Sequence, residues 1–391
     1  MRRLVSLSSP KLITLIACTL IVIFTLIPSL GHLIKLAVTT SGAKSTPQIA
    51  KSENRYLNTF PTDAKNFTAF TTGLDNYIND HFALRAFAIK SHNKLQRALG
   101  ATQLAVYAGR DGWFFLGNNA VWSSHQGRGD FSQQTILAFE KMVQHIQTKC
   151  EENGIAFVAT IPPNKSSIYT EHTPLRFGQK SKRNFHDAVM NKNDHTAINL
   201  INIKPILLAQ KHNHQLYYKT DTHWTPHGAF LAYQALMSSL RQSLPRLKIL
   251  KRKQLRETIR RDYKGDLTVI GDIKNVSENV QLLRSGSRRR FSVNHVKYAD
   301  HPKTWKTSIY TLKGARRQRS HKLVIIGDSF SDYYINFLKV TFDEIIIIHH
   351  KLGAFDLDEV FSHQPDAVIF NVVERFADIT ANNYKNIAES K

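Results

Sequence analysis

The sequence predicts an α/β protein, a three-layer sandwich with a mostly parallel sheet, preceded by one N-terminal transmembrane helix. Short, continuous apolar runs rich in β-branched residues recur along the chain, as they do in buried parallel strands. The segments between these runs are long enough for helical crossovers. Near the N-terminus, 23 consecutive residues (12–34) contain no Asp, Glu, Lys or Arg, and about 20 helical residues suffice to cross a bilayer.

Basic residues precede the charge-free run. Arg2, Arg3 and Lys11 favour a cytoplasmic N-terminus, with the remainder of the chain in the periplasm. A cleaved signal peptide ending near Ser41 and Ala43 is the alternative. Its apolar region would normally span about 7–15 residues, so the length favours an uncleaved anchor. We therefore expect a single-pass protein of the inner membrane.

The domain organisation follows from these signals. We expect a cytoplasmic tail over 1–11, a transmembrane anchor over 12–38 and a small, polar linker over 39–52. The remainder, 53–391, is expected to be one folded domain, in which a basic insertion of about 241–322 interrupts the α/β pattern.

Secondary structure within 53–391 is predicted from periodicity and turn residues. Apolar residues at helical spacing predict a helix within 70–99, and "AVYAGRDGWFFLG" (105–117) predicts two strands joined by a tight turn. The expected strands of the sheet lie within 154–163, 322–330, 344–350 and 366–373. Ligands of such a sheet bind at the carboxyl ends of its strands.

The net charge is concentrated in one segment. Residues 241–322 carry 23 Lys and Arg against 6 Asp and Glu, so +17 of the total formal charge of +23 lies there. The run "RLKILKRKQLRETIRR" (246–261) has three interpretations: a solvated face, a surface near anionic lipid headgroups, or a track for an acidic polysaccharide. Nucleic acid also fits the charge, but an extracytoplasmic location argues against it.

The stretch "LVIIGDSFSDYY" (323–334) places a serine directly after a predicted strand. Ser329 is expected to begin a helix, where its hydroxyl is exposed near free backbone N–H groups. A serine in that position can attack an acyl carbon while amides bind the oxyanion. The alternative is an ordinary helix N-cap. The preceding Asp328 is expected to cap the helix or brace the turn.

The stretch "YYKTDTHWTPHGAF" (217–230) supplies a base and a carboxylate. Asp221 and His223 could orient and deprotonate a serine nucleophile. Trp224 is expected to pack against the loop and fix it, with stacking on a sugar as the alternative. A metal site at His223 and His227 is disfavoured, because ligands at i and i+4 require a helix and Pro226 lies between them. No metal and no cofactor is expected.

These motifs together resemble one family. The ordered set "ENRYLNTFP", "YINDHFALR", "GRDGWFFLG", "IPPNKSSIY", "TDTHWTPHGAFLAY", "YKGDLT", "VIIGDSF" and "VVERF" is similar to the alginate O-acetyltransferase family of SGNH-hydrolase-like proteins. The resemblance implies a triad of Ser329, His223 and Asp221. Because the chain order is Asp, His, Ser, it also implies a circularly rearranged version of the SGNH-hydrolase fold.

The resemblance leaves the oxyanion donors open, since no clear Gly-x-Asn-Asp block is present. Asn371 and the backbone N–H of Ser329 are the candidates, with Asn164 as a weaker one. Arg375 either orients substrate or anchors Glu374.

The expected function is O-acetyl transfer to a cell-surface or exported anionic polysaccharide through an acyl-enzyme. A polysaccharide acetylesterase and a non-catalytic glycan-binding assembly subunit are the alternatives. The resemblance implies a multi-pass membrane O-acyltransferase as the partner that delivers the acetyl group. We also expect the chain to contact the membrane through its N-terminal helix, and we do not expect it to bind nucleic acid.

Overall fold

The computed structural model of the chain describes residues 49–50, 55–56, 60, 67–81, 105–191, 198–287, 289–297, 304–313, 321–350 and 354–389. Within them, no helix combines the length and the apolar composition needed to cross a membrane. The predicted anchor, 12–38, lies outside the described residues, as does most of the predicted linker. The chain divides into two compact units, 1–102 and 103–391.

The described residues form thirteen strands and eleven α-helices. The strands are β1 (Ile49–Ala50), β2 (Arg55–Tyr56), β3 (Val106–Ala108), β4 (Phe114–Leu116), β5 (Ala156–Thr160), β6 (Leu200–Ile201), β7 (Leu255–Tyr263), β8 (Glu278–Ser285), β9 (Phe291–Lys297), β10 (Thr304–Leu312), β11 (Lys322–Gly327), β12 (Glu344–His350) and β13 (Ala367–Asn371). The α-helices are α1 (Phe67–His81), α2 (Asn119–His125), α3 (Gln133–Glu152), α4 (Lys165–Ile168), α5 (Phe185–Met190), α6 (Lys204–Gln210), α7 (Pro226–Ser243), α8 (Asp266–Ile270), α9 (Ile335–Leu338), α10 (Leu357–Ser362) and α11 (Glu374–Glu389).

The first unit contains β1 paired antiparallel with β2, followed by α1. The aromatic rings of Phe60 and Tyr77 meet edge to face, with their centroids 5.3 Å apart. Helix α1 accounts for the described part of the helix predicted within 70–99, and the remainder of that prediction lies outside the described residues.

The second unit is built on a central sheet in the order β6-β5-β13-β11-β12-β10-β9. The first five of these strands are parallel, and the four strands predicted within them are confirmed. Strands β10 and β9 are antiparallel, so the sheet is mixed rather than parallel throughout.

Part of the basic segment belongs to the central sheet. The segment 241–322 was expected to be an insertion outside the α/β pattern, but its strands β9 and β10 belong to the central sheet. Both strands mix polar and apolar residues, and residues 292–295 of the edge strand β9 are exposed to solvent. A search for continuous apolar runs therefore passes over them.

Helices cover both faces of the sheet. Along β11, Leu323 and Ile325 pack into the same cluster as the buried residues of α7, whereas Val324 and Ile326 pack with α3 and α11 on the opposite face. Successive residues of a strand point to opposite faces, so this alternation produces three layers. The predicted hairpin at 105–117 is present as β3 and β4.

Strands β7 and β8 form a separate antiparallel pair, which we call the ribbon. At its base Tyr263 is opposite Glu278, and at its far end Arg256 is opposite Arg284. The ribbon packs against α7 and α9. Its base lies at the site described next.

Candidate active site

Two segments that are distant in sequence meet beside the carboxyl ends of the central strands. We call residues 217–225 the histidine loop and residues 328–330 the serine turn. His223 Nε2 lies 2.7 Å from Ser329 Oγ, and His223 Nδ1 lies 2.6 Å from Asp221 Oδ1. The three residues predicted as a triad thus form one continuous chain of hydrogen bonds.

The Asp221 carboxylate accepts hydrogen bonds on both oxygens. Oδ1 accepts from the ring Nδ1 and the backbone N–H of His223, while Oδ2 accepts from the Tyr263 hydroxyl at 2.7 Å and the Asp266 backbone N–H at 3.0 Å. Burial opposes ionisation of Asp221, but His223 and the other donors outweigh it and hold its pKa well below the usual range. Asp221 is therefore charged at neutral pH and fixed in position.

His223 is poised as a base by the same contact. Burial lowers the pKa of His223, but the hydrogen bond and negative charge of Asp221 prevail and raise it above 6.5. When Nδ1–H donates to Asp221, the neutral ring presents the lone pair of Nε2 to the Ser329 hydroxyl. A histidine in this arrangement can take the proton of a serine.

A buried lysine holds the histidine loop from below. The Lys165 ammonium donates to three backbone carbonyls of the loop, those of Tyr218, Lys219 and Asp221, at 3.0, 3.2 and 2.7 Å. It also lies against the ring of Phe115, 5.1 Å from the centroid. Burial lowers the pKa of Lys165 to about 7, although nearby carboxylates favour the charged form. The lysine replaces water as the partner of carbonyls that would otherwise be buried and unpaired.

The base of the ribbon holds the loop from the other side. Glu278 accepts hydrogen bonds from the backbone N–H groups of Lys219 and Thr220, at 3.0 and 2.7 Å. Gly265 packs directly on the loop, where a Cβ atom would lie 2.3 Å from the Thr220 carbonyl oxygen and 2.5 Å from Asp221 Cβ. A side chain at position 265 would displace the loop that carries Asp221.

The serine turn is braced by Asp328, as expected. Asp328 Oδ1 accepts from the Phe330 backbone N–H at 3.0 Å, and Oδ2 accepts from the Val373 N–H at 2.7 Å. The expected helix beginning at Ser329 is not formed, because a 3₁₀ turn over residues 331–334 separates the serine from the short helix α9. The amides of a long helix N-terminus are therefore not available at this serine.

Aromatic residues tie the two segments together. Trp224 is fully buried, and its Nε1 donates to the Phe330 carbonyl oxygen at 3.2 Å, which confirms its predicted packing role. The ring of Tyr333 stacks on the His223 imidazole, with centroids 5.3 Å apart. These contacts restrict the orientation of the imidazole relative to the serine turn.

Asn371 does not fit the expected role of oxyanion donor. Its side chain is fully buried, its Nδ2 donates to Ser331 Oγ at 3.1 Å and its Oδ1 accepts from the Tyr334 hydroxyl at 3.0 Å. The end of β13 is an interior position, so the amide completes a hydrogen-bond network in the core.

Asn164, the weaker candidate, differs from Asn371 in that its amide nitrogen is not engaged by another described residue. Its Oδ1 accepts from the Arg375 guanidinium at 3.4 Å, and its buried Nδ2 has no hydrogen-bond partner within the described residues. Both residues line a small cavity beside Thr222, and the Arg375 guanidinium lies 5.3 Å from the Phe330 ring centroid. Glu374 is held by other groups, including the Asn164 backbone N–H at 2.8 Å.

His227, the second histidine of "YYKTDTHWTPHGAF", makes its described contacts with residues outside the triad. Helix α7 begins at Pro226, so His227 is helical after all while His223 precedes the helix. His227 stacks on His214, with centroids 4.4 Å apart. Asp221, His223 and Asp266 lie close enough to hold a cation, but His223 Nδ1 and Asp221 already bond each other there.

Sequence reasoning missed several of the residues that position the triad. Tyr263, Asp266 and Lys165 stand within the quoted motifs "YKGDLT" and "IPPNKSSIY", yet their roles were not assigned from them. Neither motif is adjacent to Asp221 in the sequence, so spacing offers no sign of the contacts. The available signal was a charged residue one or two positions after a proline or glycine, as Lys165 follows Pro163 and Asp266 follows Gly265.

A serine hydrogen-bonded to a histidine beside the parallel strands of a three-layer sandwich fits the SGNH-hydrolase-like class of proteins, although the same pairing also occurs on other α/β folds. The family model described as "SGNH hydrolase-like domain, acetyltransferase AlgX" matches residues 106–349. This match covers more than half of the chain, and the chain belongs to that family.

Individual relatives are named as alginate acetylases. The Pseudomonas putida protein named "Probable alginate O-acetylase AlgJ" is 30% identical over 144 residues, covering 36% of this chain and 35% of the relative. The protein of the same name from Pseudomonas syringae pv. tomato is 26% identical over 225 residues, or 55% of this chain and 54% of the relative. The chain thus spans between a third and about half of the length of these curated relatives.

Among solved structures, the O-acetyltransferase domain of Pseudomonas putida AlgJ is similar to 73% of this chain and 99% of its own, with 19% identity and a TM-score of 0.43.

Proposed function

We propose that the chain transfers acetyl groups to an exported polysaccharide through an acetyl-enzyme at Ser329. The observation that carries this proposal is the hydrogen-bonded series from Ser329 Oγ through His223 to Asp221. Membership of an acetyltransferase family supports the same chemistry.

In the first half of the reaction, Ser329 Oγ attacks the carbonyl carbon of the acetyl donor while His223 Nε2 takes the hydroxyl proton. Asp221 stabilises the imidazolium that forms. The oxyanion collapses, the bond to the donor's leaving group breaks, and His223 returns its proton to that group. The acetyl group is then an ester of Ser329.

In the second half, a sugar hydroxyl loses its proton to His223 and attacks the ester carbonyl carbon. The bond to Ser329 Oγ breaks and the serine recovers the proton. We assign the unpartnered Nδ2 of Asn164, with the backbone N–H of Ser329, to the oxyanion in both halves. We assign Arg375 to orienting substrate, because its guanidinium contacts Asn164 and Phe330.

The acceptor and the donor are parts of the same proposal. We infer an anionic polysaccharide acceptor from the formal charge of +23 and from the relatives' names. We also propose that 12–38 anchors the chain in the inner membrane, with 53–391 in the periplasm. A multi-pass membrane O-acyltransferase would then deliver the acetyl group, since acetyl-coenzyme A is cytoplasmic.

Acetyl ester hydrolysis is the second candidate, because water can replace the sugar hydroxyl in the second half. A rapid-quench experiment tests the shared first half: an activated acetyl ester should add the mass of one acetyl group to the peptide containing Ser329. The Ser329→Ala chain is the control. Failure to label the folded wild-type protein would exclude an acyl-enzyme, and adding an acceptor oligosaccharide then distinguishes transfer from release of acetate.

A further inference from the structure

A cavity of about 430 Å³ lies between the far end of the ribbon, the start of α7 and the short helix α9. Its polar lining comprises Arg284, Ser285, Ser287, Arg289, Asn336 and Lys339. All six side chains can donate hydrogen bonds, and no acidic side chain is among the described residues that line the cavity. Such a lining is suited to an anion.

Two of the cations lie partly out of water at this cavity. Burial lowers the pKa of both Arg289 and Lys339. Arg289 is paired with Asp343 and also donates to the Lys339 carbonyl oxygen at 2.9 Å, so its guanidinium is fixed. The Lys339 ammonium lies 5.0 Å from the Tyr310 ring centroid and has no carboxylate within ion-pair distance in the described part of the chain.

A third cation of the cavity, Arg284, lies beside another arginine. Arg284 is directly opposite Arg256 in the antiparallel ribbon, so the two side chains share one face. Like charges in that position are destabilising. Neither arginine has an ion-pair partner within the described residues, and an anion bound in the cavity would relieve the repulsion.

Other cations of the basic segment differ from those at the cavity because they have partners nearby. Arg252 is paired with Glu257, and the guanidinium of Arg260 lies 4.8 Å from the Tyr263 ring centroid. Some cations of the basic run therefore have partners within it, whereas the cavity brings Arg284, Arg289 and Lys339 together with no acidic side chain in its described lining. A concave site also suits a discrete acidic group better than a flat lipid surface.

We propose that this cavity is a subsite that binds an acidic group of the polysaccharide acceptor, either a carboxylate or a phosphate. The choice of a polysaccharide rests on the proposed function. Pro226 begins the helix that follows the histidine loop, and Asn336 and Lys339 belong to the helix that follows the serine turn. A sugar residue held in the cavity would be adjacent to both catalytic segments.

The test is a binding measurement on the full 391-residue chain carrying Ser329→Ala, which needs no turnover. Arg284→Gln with Lys339→Gln should weaken binding of an oligouronate about tenfold, because each lost cation removes a charge-assisted contact. The matched control, Lys253→Gln with Arg261→Gln, removes two exposed charges from the basic run and should leave the affinity nearly unchanged. The oligouronate with its carboxyl groups reduced to alcohols should bind no variant measurably.

The outcomes separate the sources of the acidic group. If inorganic phosphate at low millimolar concentration displaces the oligouronate, the acidic group that the cavity binds is a phosphate. If phosphate does not displace it, the group is a carboxylate. Equal loss of affinity in the cavity and control variants would overturn the subsite in favour of diffuse attraction. Binding to anionic vesicles that depends on Arg284 and Lys339, without oligouronate binding, would also overturn it.

A failure of the subsite in either the variant comparison or the vesicle experiment leaves the proposed reaction untouched, because acetyl labelling of Ser329 is measured separately on the wild-type chain. Melting temperatures of both double variants exclude unfolding as the cause of lost affinity. If the cavity variant melts early, the single variant Lys339→Gln should still show a loss of about threefold that the control lacks.

Discussion

The two ends of the ribbon treat charge in opposite ways. At the base, the acidic groups of Asp221, Asp266 and Glu278 all accept hydrogen bonds from nearby backbone or side-chain donors. At the far end, Arg256 and Arg284 are opposed without an acidic partner in the described residues. The base is complete as it stands, and the far end lacks its counter-charge.

Under the proposed function and the proposed subsite, this difference separates a preorganised catalytic site from a ligand-binding surface. Groups that act on a reacting bond need fixed geometry, and matched hydrogen bonds supply it before substrate arrives. Groups that bind a charged ligand need unmatched charge, which is destabilising until the ligand is present. Variants at the base should therefore change the rate, and variants at the far end should change affinity and stability.

The largest effect is expected when a reacting side chain positioned by the base of the ribbon is removed. Ser329→Ala and His223→Ala should each lower hydrolysis of a chromogenic acetyl ester by about 10³-fold or more. The exposed Ser277→Ala variant is the control and should keep the wild-type rate. Folded triad variants with near wild-type rates would remove the mechanism.

Gly265→Ala tests the packing between the ribbon base and the histidine loop. A Cβ atom there would lie 2.3 Å from a backbone oxygen, so the loop must move, and we expect kcat to fall by about 10²-fold. Gly286→Ala is the matched control, because its Cβ would meet nothing within 4 Å. Equal kcat values for the two variants in the ester assay would show that the loop tolerates displacement.

Lys165→Met tests the support on the other side of the loop. Three carbonyls would lose their donor, so we expect an unfolding free energy lower by about 2 kcal/mol and a kcat about tenfold lower. Chemical denaturation and the ester assay measure these two quantities. Lys219→Met removes a lysine of the same loop whose ammonium donates to the Asp111 carbonyl oxygen at 3.1 Å, and it should have little effect. Unchanged stability of Lys165→Met would contradict the support role.

Tyr263→Phe is a finer test and is read from a pH profile. His223 must be neutral to act as a base, and Asp221 raises its pKa, so wild-type activity should rise with pH through a midpoint above 6.5. Loss of the Tyr263 hydroxyl leaves more negative charge on Asp221 facing the imidazolium, so the midpoint should move upward and kcat should fall a few-fold. Tyr384→Phe should leave the profile unchanged, and a downward movement in Tyr263→Phe would refute the argument.

The smallest effect is expected at the far end. Arg256→Gln removes a cross-strand repulsion, so it should raise the unfolding free energy by a few tenths of a kcal/mol at low salt. The gain should disappear at about 1 M salt, where charges are screened beyond roughly 3 Å. Destabilisation at low salt would mean that the two arginines do not repel each other.

How much of this could be predicted depends on where the relevant contacts lie. Strands such as Lys322–Gly327 are buried on both faces, so their continuous apolar sequence predicted them directly. Strands β9 and β10 mix polar and apolar residues, and the edge strand β9 is largely exposed, so their sequence lacks that signal. Ser329, His223 and Asp221 could be predicted because their motifs lie at strand and loop boundaries that the sequence marks. The structure brings these three residues together.

The supporting contacts could not be predicted in the same way. The bond between the Tyr263 hydroxyl and Asp221 depends on how the ribbon packs, which no local pattern encodes. Asn371 ends a strand, as the sequence indicated, but only the packing of Tyr334 and Ser331 shows that its amide is engaged in the core.

The hydrogen bond between Trp224 and Phe330 has a consequence for the synthesis of the protein. It joins positions separated by 106 residues, so the entropy of closing a long loop must be overcome before the serine meets its histidine. A growing chain that has not yet reached β11 carries the base and the carboxylate but no nucleophile. Under the proposed mechanism, reactivity toward acyl groups would therefore arise late, after β11 and the serine turn have emerged.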